Sequence, residues 1–326
     1  MKLVKELTWF PYRKESFEIL YHAYECDETG ERFTEAQTDE LNTVQLYNQY
    51  REKYGIPFPQ QIGQIREQYK ASASKMSEIL GLGANSYRLY ENGDMPTVAI
   101  GRLILSIADP EEFQKQVRAS AHILQDKERN KFEEICRELI AKKKASLWEK
   151  LFEEQIFRNR DANAYSGYRQ PDLGRIGQVI AFFDGKIELF KTKLNKVLFY
   201  CDFTAYKYHG VSLTGLTYRA ISYGPVPAQY EKLYIKLCDD QVIAIHNLLI
   251  KSTGDYADLI RPNHKFDEKD FQQWEIDILE KVAATLNSKS TKQIVDLSHK
   301  ETAWLENEEA RENINYQRYA FLLNLI

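Results

Sequence analysis

Six histidines, four cysteines and 48 acidic residues are the groups of this 326-residue chain that could transfer protons, attack as nucleophiles or ligate a metal. His22, His122, His209, His246, His264 and His299 form no His-Glu-x-x-His array and no other paired-ligand spacing. Cys26, Cys136, Cys201 and Cys238 lie far apart in no framework pattern, which points to free thiols in a reducing compartment. Cys201 stands beside Asp202, but its apolar neighbours at helical spacing make it a core thiol rather than a nucleophile. The run "GLGANS" lacks the Lys-Ser/Thr that completes a phosphate loop, and no Gly-x-Ser-x-Gly elbow occurs. The acidic residues fall mainly on helical stretches, where such charges mark solvated faces. No enzyme, no bound metal and no cofactor are expected.

The elements that position the remaining candidates follow from composition and periodicity. Charged residues make up 28%, the net charge is −4 and Gly and Pro are sparse, which describes an ordered, helix-rich chain of at least two domains. No apolar run nears the roughly 18 residues of a membrane span. "MKLVKELTWF" lacks the features of a signal peptide, so a cytoplasmic location is expected. Residues 1–60 read as strands, with Phe17, Ile19, Tyr21 and Ala23 on one side, followed by a helix with Thr34 and Gln37 as its capping box. Residues 61–108 read as short helices with Gly-bearing corners, one of them capped by Ser74. Residues 109–165 form a charged helical connector with Phe132, Ile135, Cys136 and Leu139 on one face, either a core face or the seam of a homodimer. Residues 166–326 read as α+β and mostly helical. "QVIAIHNLLI", "KSTGD" and "YADLI" give a hairpin there, with Asp267 and Ser290 as later helix caps.

Within 61–108 the order of helices is that of a helix-turn-helix, whose second helix enters the major groove with its N-terminal residues on base edges. Those residues are Asn85, Ser86 and Arg88; Ser74 and Lys75, at the preceding helix start, suit phosphate. Against this stands the near-neutral charge of 62–97, which weakens the attraction to phosphates. "ECDETGERFTEAQTDELNTVQLYNQYREKYGI", running into "IREQYKASASKMSEILGLGANSYRLYENGDMP", resembles the antitoxins of the MqsA type. That resemblance implies an N-terminal zinc module, a connector and a DNA-binding helix-turn-helix. The family's zinc module uses two Cys-x-x-Cys pairs, whereas this chain has Cys26 with Thr29 in the partner's place, so a metal-free hairpin is expected.

The tyrosine-rich run "KLNKVLFYCDFTAYKYHG…YRAISYGPVPAQYEKLY" is similar to the Panacea, or SocA-like, domain, whose hallmarks include a Tyr-Gly-Pro-Val corner. Ser298, His299, Lys300 and Trp304 match its closing element. The resemblance implies an antitoxin that neutralises a cognate protein toxin encoded beside it. The helix-turn-helix would then bind operator DNA and repress the operon. Its alternatives are a transcriptional regulator without a toxin and an adaptor delivering a toxin to a protease. Tyrosine gives large contact area at low entropy cost, and prolines stiffen the corner. The toxin-contact candidates are Tyr218, Tyr223, Gly224, Pro225, Val226, Pro227 and Tyr230. Tyr200, Cys201 and Tyr208 are assigned to the core, and His299 with Trp304 to a packed pair whose imidazole is satisfied.

Overall fold

A computed structural model describes residues 1–145, 147–158, 160–249, 254 and 256–325. The chain is mostly helical α+β and divides into two units, Met1–Phe152 and Glu153–Ile326.

The first unit opens with β1 (Lys2–Tyr12) and β2 (Glu15–Glu25), antiparallel over their whole length, with β3 (Arg32–Phe33) on the far side of β2. The tight turn between β1 and β2 has no glycine. Arg13 takes φ +55° there and its guanidinium bonds the Tyr50 hydroxyl at 3.1 Å over the Tyr50 ring, contacts that offset a left-handed backbone. The alternation of Phe17, Ile19 and Ala23 places all three in the interior, against α1 (Ala36–Tyr54). The helix also closes the outer edge of β2 with side-chain amides. Asn42 exchanges two hydrogen bonds with the His22 backbone and Gln45 two with that of Leu20, while Gln49 donates to the Glu18 carbonyl. The capping box of α1 is Glu35 with Thr38, one residue beyond the expected Thr34 and Gln37, because Arg32 and Phe33 still pair with β2.

Five short or medium helices follow: α2 (Pro59–Gln68), α3 (Ala73–Ile79), α4 (Ser86–Glu91), α5 (Val98–Ser106) and α6 (Pro110–Ala119). Ser72, not Ser74, caps α3 by accepting from the Lys75 N–H. Ile62, Tyr69, Met76, Tyr87 and Ile104 share one core with Phe113 and Val117 of α6 and with Phe132, Ile135 and Cys136 of α7 (Asp126–Ala145). The apolar stripe of the connector is therefore consumed inside this bundle, and the boundary expected after residue 108 crosses a continuous core. α8 (Leu147–Phe157) follows.

The second unit is organised around one helix. α9 (Leu173–Phe182) precedes α10 (Lys191–His209), whose residues from Lys193 to Tyr206 are all buried. A helix buried all round is an interior element. Around it stand the hairpin β4 (Tyr218–Ile221) and β5 (Gly224–Pro227), α11 (Tyr230–Asp239), and the hairpin β6 (Ile243–Leu249) and β7 (Tyr256–Pro262). α12 (Gln273–Leu286), α13 (Thr291–Ser298), α14 (Thr302–Leu305) and α15 (Tyr316–Tyr319) complete it. Within the expected turn "KSTGD", Lys251, Ser252, Thr253 and Asp255 lie outside the described residues. Ser290 caps α13 as expected. Asp267 caps only a short 3-10 turn at Glu268–Asp270, and α12 starts instead from Gln272 with Glu275 as its capping box.

Candidate binding surface and its support

The Gly-Pro-Val-Pro segment is a strand rather than a corner: Gly224–Pro227 pairs antiparallel with Tyr218–Ile221 around a turn at Ser222 and Tyr223. Strand prolines belong where no ladder N–H is needed, and β5 is an edge of its two-stranded sheet. Gly224 has φ +92°, and a Cβ there would lie 2.4 Å from the Ser298 Oγ and 2.7 Å from the Lys196 Cε. Only glycine fits so close to α10 and α13.

Burial separates the seven contact candidates. Tyr223 is 71% exposed at the turn and Tyr230 is half-buried. Tyr218, Gly224, Pro225, Val226 and Pro227 are buried. The correction is clearest for Tyr218, whose ring sits among Phe199, Phe203 and Tyr316 and whose hydroxyl donates to the Asp202 Oδ2 at 2.8 Å. Leu305, which the sequence did not single out, is 59% exposed on α14, the helix packed against β4 and β5. No periodicity signals it, because α14 is four residues long.

The polar side chains of α10 grip the segments around it. Asp202 accepts from the Leu213 and Thr214 N–H groups, the Thr214 hydroxyl and the Tyr218 hydroxyl, at 2.5–2.8 Å. Burial raises its carboxyl above the usual range, and these donors pull the other way. Lys196, fully buried, donates to the Pro225 carbonyl at 3.0 Å, and burial pushes its ammonium down to about 7. The Tyr234 hydroxyl donates to the Asn195 Oδ1 at 2.6 Å. The 212–214 loop is tied from its other side by Arg169, at 2.6 Å to the Ser212 carbonyl, and Arg175, at 2.6 Å to the Leu213 carbonyl. Both guanidiniums share the buried Glu275 carboxylate, and burial lowers Arg169 to about 10. Glu301 accepts from the Tyr200 hydroxyl and from the Asn324 and Leu325 N–H groups, fastening the chain's last residues; burial raises its carboxyl.

Tyr200 and Cys201 are in the core as expected, with burial holding the Cys201 thiol well above its ordinary value; Tyr208 is half-buried. His299 stacks on Trp304 with centroids 4.0 Å apart and planes at 16°, and the Trp304 Nε1 donates to the Ile221 carbonyl at 2.7 Å. The pair packs as expected, but the His299 Nε2 is buried with no hydrogen-bond partner, so the imidazole is not fully satisfied.

In the first unit, Asn85 and Arg88 are exposed at the start of α4, Ser86 is half-buried, and Ser74 is exposed on α3. Lys75 is engaged by Glu78 at 2.7 Å and Glu128 at 3.1 Å, which competes with any phosphate. Around Cys26 the backbone closes on itself through Gly30 and Glu31, and hydrogen bonding from Thr29 lowers the thiol's pKa. Among the described residues, no group of three or more His, Cys, Asp or Glu could hold a metal ion, and no helix is long and apolar enough to cross a membrane.

No curated protein and no solved structure matches the chain. A family model matches residues 194–305, and no comparison supports the MqsA-like reading of the first unit. The match spans α10 through α14, the helix that carries Lys196 and Asp202 together with the hairpin and the His299–Trp304 pair. Residues 194–305 match the family model described as "Antitoxin SocA-like, Panacea domain".

Proposed function

We propose that this chain is the antitoxin of a toxin–antitoxin pair and that its Panacea domain binds and neutralises a protein toxin encoded by the adjacent gene. The family match at 194–305 carries this reading. The site is the β4–β5 turn with its neighbour α14, where Tyr223 and Leu305 are exposed. Lys196 holds the Pro225 carbonyl and Trp304 the Ile221 carbonyl, so the turn is supported at both ends before any partner arrives. Such preorganisation lowers the ordering cost of binding. Neutralisation is stoichiometric occlusion in the cytoplasm, without catalysis. Co-expression with the neighbouring gene tests it: the wild type restores growth, and Tyr223→Arg with Leu305→Arg does not, at unchanged melting temperature. Full rescue by that double variant refutes the surface, and no rescue by the wild type refutes the function.

The same chain represses its own operon through α4. Exposed Asn85 and Arg88 at the start of that helix support this reading, since Asn reads adenine and Arg reads guanine in bidentate fashion. A mobility shift on the upstream DNA, weakened by roughly 1–3 kcal/mol in Arg88→Ala, is the expected result. Equal affinity for unrelated DNA would remove operator recognition.

A further inference from the structure

The segment between α9 and α10 and the junction of α12 with α13 border one open cavity of about 710 Å³, a size suited to a small molecule. Cations predominate in its lining, with Lys186, Lys193, Arg261 and Lys289 against Glu188 alone. Two of the four are already paired, Lys186 with Glu280 at 2.7 Å and Arg261 with Asp184 at 3.0 Å. Lys193 and Lys289 have no carboxylate partner among the described residues, and the Lys289 ammonium bonds nothing there.

Lys193 is the telling group. It is only 6% exposed, and its Nζ donates to the Lys289 carbonyl at 2.8 Å, on the cavity wall. An ammonium has three donors, so two are left unfilled. A buried charge is costly unless it is paired, and one carbonyl does not pair it. Burial accordingly lowers the pKa of Lys193, against the opposing pull of the Glu188 charge.

Backbone donors reach the same wall. Ser290 caps α13 by accepting from the Gln293 N–H, while the Thr291 and Lys292 N–H groups have no partner among the described residues. Free N–H groups in the first turn of a helix favour an anion. Ser288 and Thr291 also line the cavity and bring hydroxyls.

We propose that this cavity binds a small soluble anion carrying a phosphate group, with Lys193 and Lys289 as its charge partners and the Thr291 N–H as a further donor. Ammonium, hydroxyl and N–H donors from two chain segments outnumber the two oxygens of a carboxylate and suit the three of a phosphate group. The site adjoins the first turn of α13. The other end of that helix, where Ser298 meets Gly224, belongs to the support of the β4–β5 hairpin.

Calorimetric titration of the full-length protein with inorganic pyrophosphate at fixed ionic strength tests the site. The wild type is expected to bind one equivalent. Lys289→Glu should weaken binding at least roughly tenfold, the worth of a charge-assisted hydrogen bond, at unchanged melting temperature because the ammonium has no partner to lose. Thr291→Pro removes an N–H and a hydroxyl at the first helical position, where proline is tolerated, and should weaken binding about fivefold or more. Lys193→Met should abolish binding; if that variant misfolds, the other two decide. Lys232→Glu, which makes the same charge change on α11 outside the cavity lining, should shift the Kd by less than about twofold. The proposal is overturned by a wild type that binds no pyrophosphate at millimolar concentration. Wild-type affinity in Lys289→Glu or Thr291→Pro overturns it too, as does a loss in Lys232→Glu equal to that in Lys289→Glu. No toxin enters the experiment, so a negative result leaves the antitoxin reading standing.

Discussion

The core shared by α2–α7 and the core around α10 both bury polar groups, but of different kinds. In the first, neutral donors meet carbonyls: Tyr69 bonds the Ile107 oxygen at 2.5 Å, Tyr87 that of Ile62 at 2.9 Å, and Ser120 that of Ile79 at 2.7 Å. In the second, ionisable groups do the joining, with Asp202, Lys196, Glu275, Glu301 and Arg169 all buried. A neutral hydroxyl costs little to desolvate and does not change with pH near neutrality. A carboxylate holds several donors at once but carries a large desolvation cost and couples folding to protons. The difference has a structural reason: the neutral ties join one helix to another, whereas Asp202 of α10 must hold an irregular loop whose backbone N–H groups have no helix or sheet to satisfy them.

The comparison is broken most directly at Asp202. Asp202→Ala strands two backbone N–H groups and two hydroxyls, and is expected to cost the second unit about 3–5 kcal/mol in urea unfolding. A loss near that of an ordinary surface substitution would show that the loop is held otherwise. Next comes Lys196. Its pKa falls from 10.5 to about 7 on folding, so between those values the unfolded chain binds more protons and stability rises with pH. The slope should reach at most ~1.4 kcal/mol per pH unit, flattening below about 7, and Lys196→Met should abolish it. A slope unchanged in that variant would assign the protons to another group. Tyr87→Phe in the first unit removes one neutral bond at a cost of about 1 kcal/mol that does not vary between pH 6 and pH 9, read from the same titrations. Smallest is Tyr223→Ala, expected to change stability by under ~0.5 kcal/mol because the ring is solvated. A larger loss would return Tyr223 to the core.

Much of the layout was legible in the chain. The alternation of Phe17, Ile19 and Ala23, the burial of Phe132 and Cys136, and the Ser290 cap all depend on neighbours a few residues away. Local signals misled where two candidates competed within a turn, as with Ser72 against Ser74 and Glu35 against Thr34. The tyrosines divide between two uses, contact surface and core: Tyr200 was expected in the core, but Tyr218, a contact candidate, is like Tyr234 and Tyr316 a hydroxyl tie inside the domain. Composition cannot tell the two uses apart, because one ring-and-hydroxyl side chain suits both.

Element types, the Panacea landmarks and the lack of a metal-ligand or nucleophile spacing were determined by the order of residues alone, since each rests on local pattern. Which tyrosine faces outward was decided only in three dimensions. Tyr218 and Tyr223 lie five positions apart in one hairpin, and the approach of α10 buries the first while the turn lifts the second into solvent. Likewise, β1 and β2 read alike as strands, but only packing gave α1 to one edge and left the other bare.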